Sequence, residues 1–313
     1  MKLLYPTSTE LDLSALPHDV DAHPYEVDQN LPAEFEDADV LVVWGNTPEM
    51  LADAAQRLTN LKWIQSLAAG PDKVLGAGFA PEVTVTSGSG LHDRTVAEHA
   101  LGLLLVAARR FHEMRDAQRE GRWPDELGGV QPVKPKGDFR TLEDANITLW
   151  GFGSIAQTLA PYLAMLGAKV TGVARSEGER AGFPVRKEAD LSALLPQTDA
   201  LVMILPSTQE TKHALSREQL DQLPPHAWLI NVGRGDTVDE AALVNALQEK
   251  KIAGAALDVF ETEPLPEDSP LWDLANVFIS PHAAGGRPRG AADLIVENVK
   301  RFLAGEALEN VIS

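Results

Sequence analysis

The sequence predicts an α/β protein of two domains, each built on a parallel sheet covered by helices. Three observations carry this expectation. At 313 residues the chain has room for about two domains. Strand candidates alternate with amphipathic segments in two separate runs. The strand candidates are nearly continuous apolar stretches, as strands buried on both faces must be.

The elements follow in chain order. "KLLYP" (Lys2–Pro6), "DVLVVWG" (Asp39–Gly45), "LKWIQSL" (Leu61–Leu67) and "VTVTSG" (Val83–Gly88) read as short buried strands. Helical stretches such as "PEMLADAAQRL" lie between them. Leu91 to Trp123 reads as one long helix with Asp93 or Thr95 as its N-cap, apolar through Val106 and charged after it. The Pro- and Gly-rich stretch that follows has no period and reads as a loop or arm. From Ile147 a second run begins, with "ITLWG", "AKVTGVA", "ALVMILP", "AWLINVG", "IAGAALDVF" and "NVFISPH" as strand candidates. A final helix is expected over about Pro288 to Gly305.

Composition narrows the function. Lys and Arg number 27 against 46 Asp and Glu, a net charge of −19. Such a surface repels phosphate backbones, so nucleic acid and anionic membranes are not expected partners. There is no cysteine, hence no disulfide and no thiolate chemistry. No apolar run approaches the roughly 20 residues of a membrane span. "MKLLYPTSTELD" is too polar for a signal peptide, so a cytoplasmic protein is expected.

The segment "GFGSIA" places Gly151, Gly153 and Ala156 in a G-x-G-x-x-G/A pattern between an apolar strand and a helix. The first Gly permits a tight turn, and the second lets the backbone approach a pyrophosphate. That anion then sits on the helix N-terminus, where free N–H groups favour it. The next strand ends at Ala174, where NAD sites place a carboxylate on the ribose 2′-hydroxyl. Arg175, Ser176 and Arg180 stand there instead, a set suited to a 2′-phosphate. NADP(H) is therefore the expected cofactor, with NAD(H) possible. The plainer alternative is a pair of solvated arginines facing Glu177 or Glu179.

Three further strand ends carry chemistry: Arg234 between two glycines, Asp258 with Glu261 and Glu263, and His282 after the last strand. In a parallel sheet these ends share the edge where ligands bind. Arg, Glu and His together can grip a carboxylate, orient a base and move a proton.

The run from "LPSTQETKHAL" through "INVGRGDTVDEAAL" to "ALDVFETEPLPEDSPLW", with "NVFISPHAAGG" and "RTVAEHALGLLL", resembles the D-isomer-specific 2-hydroxyacid dehydrogenases. "NTPEM" after Trp44, the "ARS" at the cofactor edge and Arg287–Pro288 resemble the glyoxylate/hydroxypyruvate reductase subgroup. The resemblance implies two Rossmann-like or flavodoxin-like domains with the cofactor cleft between them: 1–92 with 283–313 for substrate, and 93–282 for NAD(P). It implies His282 as acid/base, Glu263 as its partner, and Arg234 as carboxylate clamp. Asp258 would hold the nicotinamide carboxamide, near the backbone of Val232 and Gly233. Ser154 and Ile155 would sit on the pyrophosphate, Pro206 and Thr211 on the adenosine side, with Thr95 and Gly285 also at the cofactor. Trp44, Ala69 and Gly70 would meet the substrate. The implied reaction is reduction of a small 2-keto acid to the D-2-hydroxy acid, in a homodimer whose arm, about 121–140, crosses to its partner. The alternative function is a cofactor-sensing binding protein of the corepressor type on the same fold.

Overall fold

The computed structural model describes residues 1–131 and 137–312. These form two compact units, Met1–His92 with Arg287–Ser313, and Asp93–Gly286. Residues 283–286, expected in the first unit, belong to the second. The reason is local: the N–H groups of Ala283 and Ala284 donate to the Asp258 carboxylate, which ties them to the second sheet.

The first unit holds a five-stranded parallel sheet of β1 (Lys2–Pro6), β2 (Asp21–Tyr25), β3 (Val40–Val43), β4 (Trp63–Ser66) and β5 (Thr84–Thr86), in the order β2-β1-β3-β4-β5. Its strands alternate between two buried faces. Leu4, Leu41 and Val43 pack with Met50, Leu51 and Ala54 of α1 (Pro48–Arg57) and Val74 of α2 (Asp72–Leu75). Leu3, Val40, Val42 and Trp63 pack with Leu294, Ile295 and Val299 of the terminal helix, Ala291–Ala304. Helix α1 starts where Thr47 accepts from the Met50 N–H and Pro48 presets the first turn. β2 was not foreseen: "DAHPY" lies at a sheet edge, where one partner suffices and no apolar pattern is demanded.

The second unit opens with α3 (Asp93–Arg109) and α4 (Phe111–Arg119). These replace the single long helix expected, because Arg110 takes a left-handed conformation at φ 54° and ends the first helix. Of the expected arm, residues 132–136 lie outside the described residues. The strands are β6 (Asn146–Trp150), β7 (Lys169–Ala174), β8 (Gly178–Arg180), β9 (Phe183–Lys187), β10 (Ala200–Met203), β11 (Trp228–Asn231), β12 (Gly254–Leu257) and β13 (Val277–Ile279). They form one sheet in the order β13-β12-β11-β10-β6-β7-β9-β8, parallel except for the β8–β9 pair. The helices are α5 (Ser154–Met165), α6 (Leu191–Leu194), α7 (Arg217–Leu220) and α8 (Glu240–Gln248), which makes the terminal helix α9. α3 and α5 pack together in one core, while α7 and α8 contribute to another. The strand order reverses between β6 and β10, the position where open α/β sheets bind ligands at their carboxyl ends. No helix among the described residues is long and apolar enough to cross a membrane.

Candidate active site

The glycine turn leaves β6 and enters α5. Gly151 has φ +99°, and a Cβ there would lie 2.5 Å from the Ile204 carbonyl oxygen, so only glycine fits. A Cβ on Gly153 would instead meet nothing within 4 Å, so the backbone before α5 faces open space, as a pyrophosphate cradle requires. The Ser154 hydroxyl, at the first turn of α5, donates to Asp93 at 2.9 Å, and the neighbouring Ile155 is half-buried.

The residues expected at the 2′-phosphate come together. Arg180 donates through Nη2 to the Ser176 hydroxyl at 2.7 Å and to the Ser176 carbonyl at 3.0 Å. Its Nη1 donates to the carbonyl of Phe152, inside the glycine turn. Arg180 thus braces the turn and positions Ser176. Arg175 is exposed. Hydrogen bonds from its own backbone and Thr208 hold the Glu210 carboxyl below its usual range, and the charge of Arg175 adds to that. Arg175 therefore lies near the loop of Pro206 and Thr211, where the Thr211 hydroxyl donates to the Pro206 carbonyl at 2.6 Å. Thr95 is half-buried in the first turn of α3, and Gly285 is half-buried just past the His282 turn.

At the ends of β11, β12 and β13 stand the three chemical side chains. The Arg234 backbone is pinned, since its carbonyl accepts from Asn231 Nδ2 at 3.1 Å and Thr237 Oγ1 at 2.6 Å. Gly233 N–H, after Val232, donates to Asn231 Oδ1 at 3.0 Å, and Arg234 Nη1 donates to the Gly233 carbonyl at 2.8 Å.

His282 Nδ1 donates to Glu263 Oε2 at 2.7 Å. The other carboxylate oxygen, Oε1, accepts from the Phe260 N–H at 3.0 Å. Burial raises the Glu263 pKa, but the hydrogen bonds from His282 and Phe260 outweigh it and hold the carboxyl below its usual range. An ionised carboxylate only accepts, so Nδ1 carries the proton, and Nε2 is left to exchange one with a ligand. The His282 side chain is 46% exposed, which permits that exchange.

Asp258 is different, at 1% exposed. Its Oδ1 accepts from Ser280 Oγ at 2.6 Å and Ala283 N–H at 2.8 Å, and its Oδ2 accepts from Ala284 N–H at 3.0 Å. Its backbone carbonyl accepts from the His282 N–H at 2.8 Å. Burial raises its pKa, and the bonds from His99, Ser280 and the two amides reverse that, leaving the group ionised. Asp258 thus shapes the turn that holds His282 at φ 51°, a left-handed conformation costly for a non-glycine residue. Oδ2 takes one donor here and keeps capacity for another.

Two residues not singled out by the sequence, His99 and Ser280, hold the buried Asp258 carboxylate. His99 Nε2 donates to Ser280 Oγ at 2.9 Å and lies 3.2 Å from Asp258 Oδ1. The available signal was its place one helical turn after Thr95 on the same face of α3.

In the first unit, Trp44 follows β3, and its ring stacks on His92 with centroids 5.2 Å apart. His92 Nε2 donates to the Leu67 carbonyl at 2.7 Å. Ala69 and Gly70 lie in the loop after β4, where Ala69 is exposed.

The family described as "D-isomer specific 2-hydroxyacid dehydrogenase, NAD binding domain" matches residues 101–284. Glyoxylate/hydroxypyruvate reductase A of Salmonella paratyphi B is 33% identical over 94% of this chain and 90% of its own length. D-3-phosphoglycerate dehydrogenase of Methanocaldococcus jannaschii is 31% identical over 91% of this chain, which spans only 53% of that longer relative. Among solved structures, a D-isomer specific 2-hydroxyacid dehydrogenase of Xanthobacter autotrophicus Py2, in complex with NADPH and MES, superposes with a TM-score of 0.84 at 33% identity, covering 100% of this chain and 98% of that one. An NADPH-dependent glyoxylate/hydroxypyruvate reductase of Sinorhizobium meliloti, in complex with NADP and sulfate, gives 0.82 at 26% identity with the same coverage. With the glycine turn, the Arg–Glu–His strand ends and these matches in agreement, the chain belongs to the D-isomer-specific 2-hydroxyacid dehydrogenase family and is a nicotinamide-dependent oxidoreductase of it.

Proposed function

We propose that the protein reduces a small 2-keto acid, of the glyoxylate or hydroxypyruvate kind, to the D-2-hydroxy acid with NADPH. The observation that carries this is the His282–Glu263 pair at 2.7 Å, on the same sheet edge as the glycine turn and Arg234. The reduced nicotinamide, when bound, supplies a hydride to the keto carbon. His282 gives the proton from Nε2 to the carbonyl oxygen as that oxygen takes up the electron pair, and Glu263 holds the ring in place through Nδ1. Arg234 grips the substrate carboxylate with a charge it cannot lose. Trp44, Ala69 and Gly70 are the first unit's candidate substrate contacts.

Ser154, Ile155 and the open face at Gly153 suit the pyrophosphate, while Thr95, Pro206, Thr211, Val232, Gly233 and Gly285 are the other candidate cofactor contacts. Asp258 suits the carboxamide through the spare capacity of Oδ2. Support for NADPH over NADH comes from Ala174 with Arg175, Ser176 and Arg180, and from relatives solved with NADP or NADPH. The enzyme reading is favoured over the corepressor alternative by relatives named as reductases, and the His282–Glu263 pair by itself does not separate the two.

The test is NADPH oxidation with glyoxylate and hydroxypyruvate, alongside Arg234→Lys. The parent should turn both over. Lysine is a point charge without the planar fork, so KM should rise and kcat fall, by tenfold or more in kcat/KM if a charge-assisted bond of about 1.5–3 kcal/mol is lost. No turnover by the parent would favour the binding-protein reading, and unchanged constants would remove Arg234 from the site.

We further propose a homodimer built through the second units. Trp123, 83% exposed, and the exposed Phe111 and Val130 support an apolar partner surface there. Light scattering should give twice the chain mass, and a monomer at micromolar concentration would sink the proposal.

A further inference from the structure

We infer that His99 is a positioning residue for the nicotinamide end of the cofactor: through Ser280 it holds the Asp258 carboxylate as an acceptor for the carboxamide. This rests on the reading above that Asp258 takes the carboxamide, and it adds the residue on which that contact depends. All three residues lie in the second unit, His99 on α3, Asp258 just past β12 and Ser280 just past β13. The bonds between them run in one direction. Ser280 Oγ lies 2.6 Å from Asp258 Oδ1, and an ionised carboxylate only accepts, so the single hydroxyl hydrogen points at Asp258. The 2.9 Å bond between His99 Nε2 and Ser280 Oγ is then donated by the imidazole. The Ser280 backbone is fixed by its N–H on the Leu257 carbonyl at 2.9 Å, so the hydroxyl is the rotor left to lock, and His99 locks it.

A buried carboxylate keeps its charge only while donors surround it. Asp258 has the amides of Ala283 and Ala284, and the rest of its support comes from Ser280 and from His99, whose Nε2 is also 3.2 Å from Oδ1. Burial raises the Asp258 pKa, and of the bonds that outweigh it the one from His99 contributes most. Without that bond, burial favours the neutral acid, whose hydrogen would oppose the carboxamide N–H where a lone pair should accept it. The course of α3 speaks for a cofactor role over a simple staple between helix and sheet. Asp93, at its first turn, accepts from Ser154 Oγ beside the glycine turn at 2.9 Å, and Thr95 lies one turn before His99 on the same face. One helix therefore supports both the pyrophosphate turn and the carboxylate beneath the His282 turn.

The experiment measures, by titration calorimetry, the Kd of NADP⁺ and of its 3-acetylpyridine analogue, in which a methyl replaces the amide nitrogen and cannot donate. The parent should bind NADP⁺ more tightly than the analogue. His99→Leu should weaken NADP⁺ by about tenfold or more, the factor that a hydrogen bond to a charged group carries. The same substitution should change binding of the analogue by less than about threefold, because the contact it supports is already missing. His99→Gln keeps a donor where Nε2 stands and should return NADP⁺ to within about threefold of the parent. If His99→Leu does not fold, Ser280→Ala breaks the same chain and is read in the same way. Equal losses for both ligands would mark His99 as a staple of α3 to the sheet and overturn the assignment. Unchanged NADP⁺ binding overturns it too, and in both cases the Asp258 reading stands. A parent that binds the two ligands equally overturns the Asp258 reading itself, and the assignment of His99 falls with it.

Discussion

Replacing His282 with alanine is expected to lower kcat for keto-acid reduction by at least about 100-fold, because general acid catalysis contributes roughly 10²–10⁴-fold. NADPH affinity should stay close to that of the parent, since the change removes a proton donor and no proposed cofactor contact. His282→Gln should behave alike: it fills the space but cannot carry a transferable proton at neutral pH. The physical case has three parts. Nδ1 is committed to Glu263, so the ring orientation and tautomer are set. Glu263 is ionised throughout the range in which an imidazole titrates, because the bonds from His282 and Phe260 outweigh its burial and lower its pKa. A carboxyl with a depressed pKa loses its charge only as pH falls through that lowered value, so the His282 ring keeps its anionic partner at every pH above it. Stopped-flow or steady-state kcat, with NADPH binding followed by fluorescence, checks the outcome. A variant retaining more than about a tenth of the parental kcat would show that another group delivers the proton.

The double substitution Ala174→Asp with Arg175→Ala should turn the cofactor preference from NADPH toward NADH. The aspartate would accept from the ribose diol and repel a 2′-phosphate, and the loss of Arg175 removes an exposed cation from the same edge. Arg180 is left in place for a structural reason. Its bonds to Phe152 and Ser176 hold the glycine turn, so replacing it would damage binding of both cofactors. Charge-assisted bonds are worth about 1.5–3 kcal/mol each, and every 1.4 kcal/mol is a factor of ten. Exposure of Arg175 argues for the low end of that range. A change of about tenfold to a few hundredfold in the ratio of kcat/KM values is expected, measured at one ionic strength. A parent that already favours NADH would show that Arg175 serves only the surface and that Arg180 only braces the turn.

Much of the fold was legible because it is local. Buried parallel strands need continuous apolar runs, and β1, β3, β4, β6, β10 and β11 announce themselves that way. The glycine turn is legible because its backbone admits no other residue at Gly151. Arg234, Glu263 and His282 stand out because each follows a strand whose end the sequence marks. β2, β8 and β9 were not legible: "DAHPY" and "GER" are edge strands with one partner each, and "FPVRK" lies beside the three-residue edge strand β8, so all three tolerate charge or proline.

By itself, then, the sequence determined the layered α/β architecture, the nucleotide turn and the chemical types at the strand ends, since these follow from residue size, polarity and spacing along a few residues. Only the tertiary structure decided the break at Arg110, the bracing of the glycine turn by Arg180, and the burial of Asp258 beneath the His282 turn. Each of these depends on which distant groups meet. His99 and Ser280, 181 positions apart, share a hydrogen bond over a buried carboxylate. Burial and donor count are set by packing of the whole unit, and no local pattern of residue types encodes them.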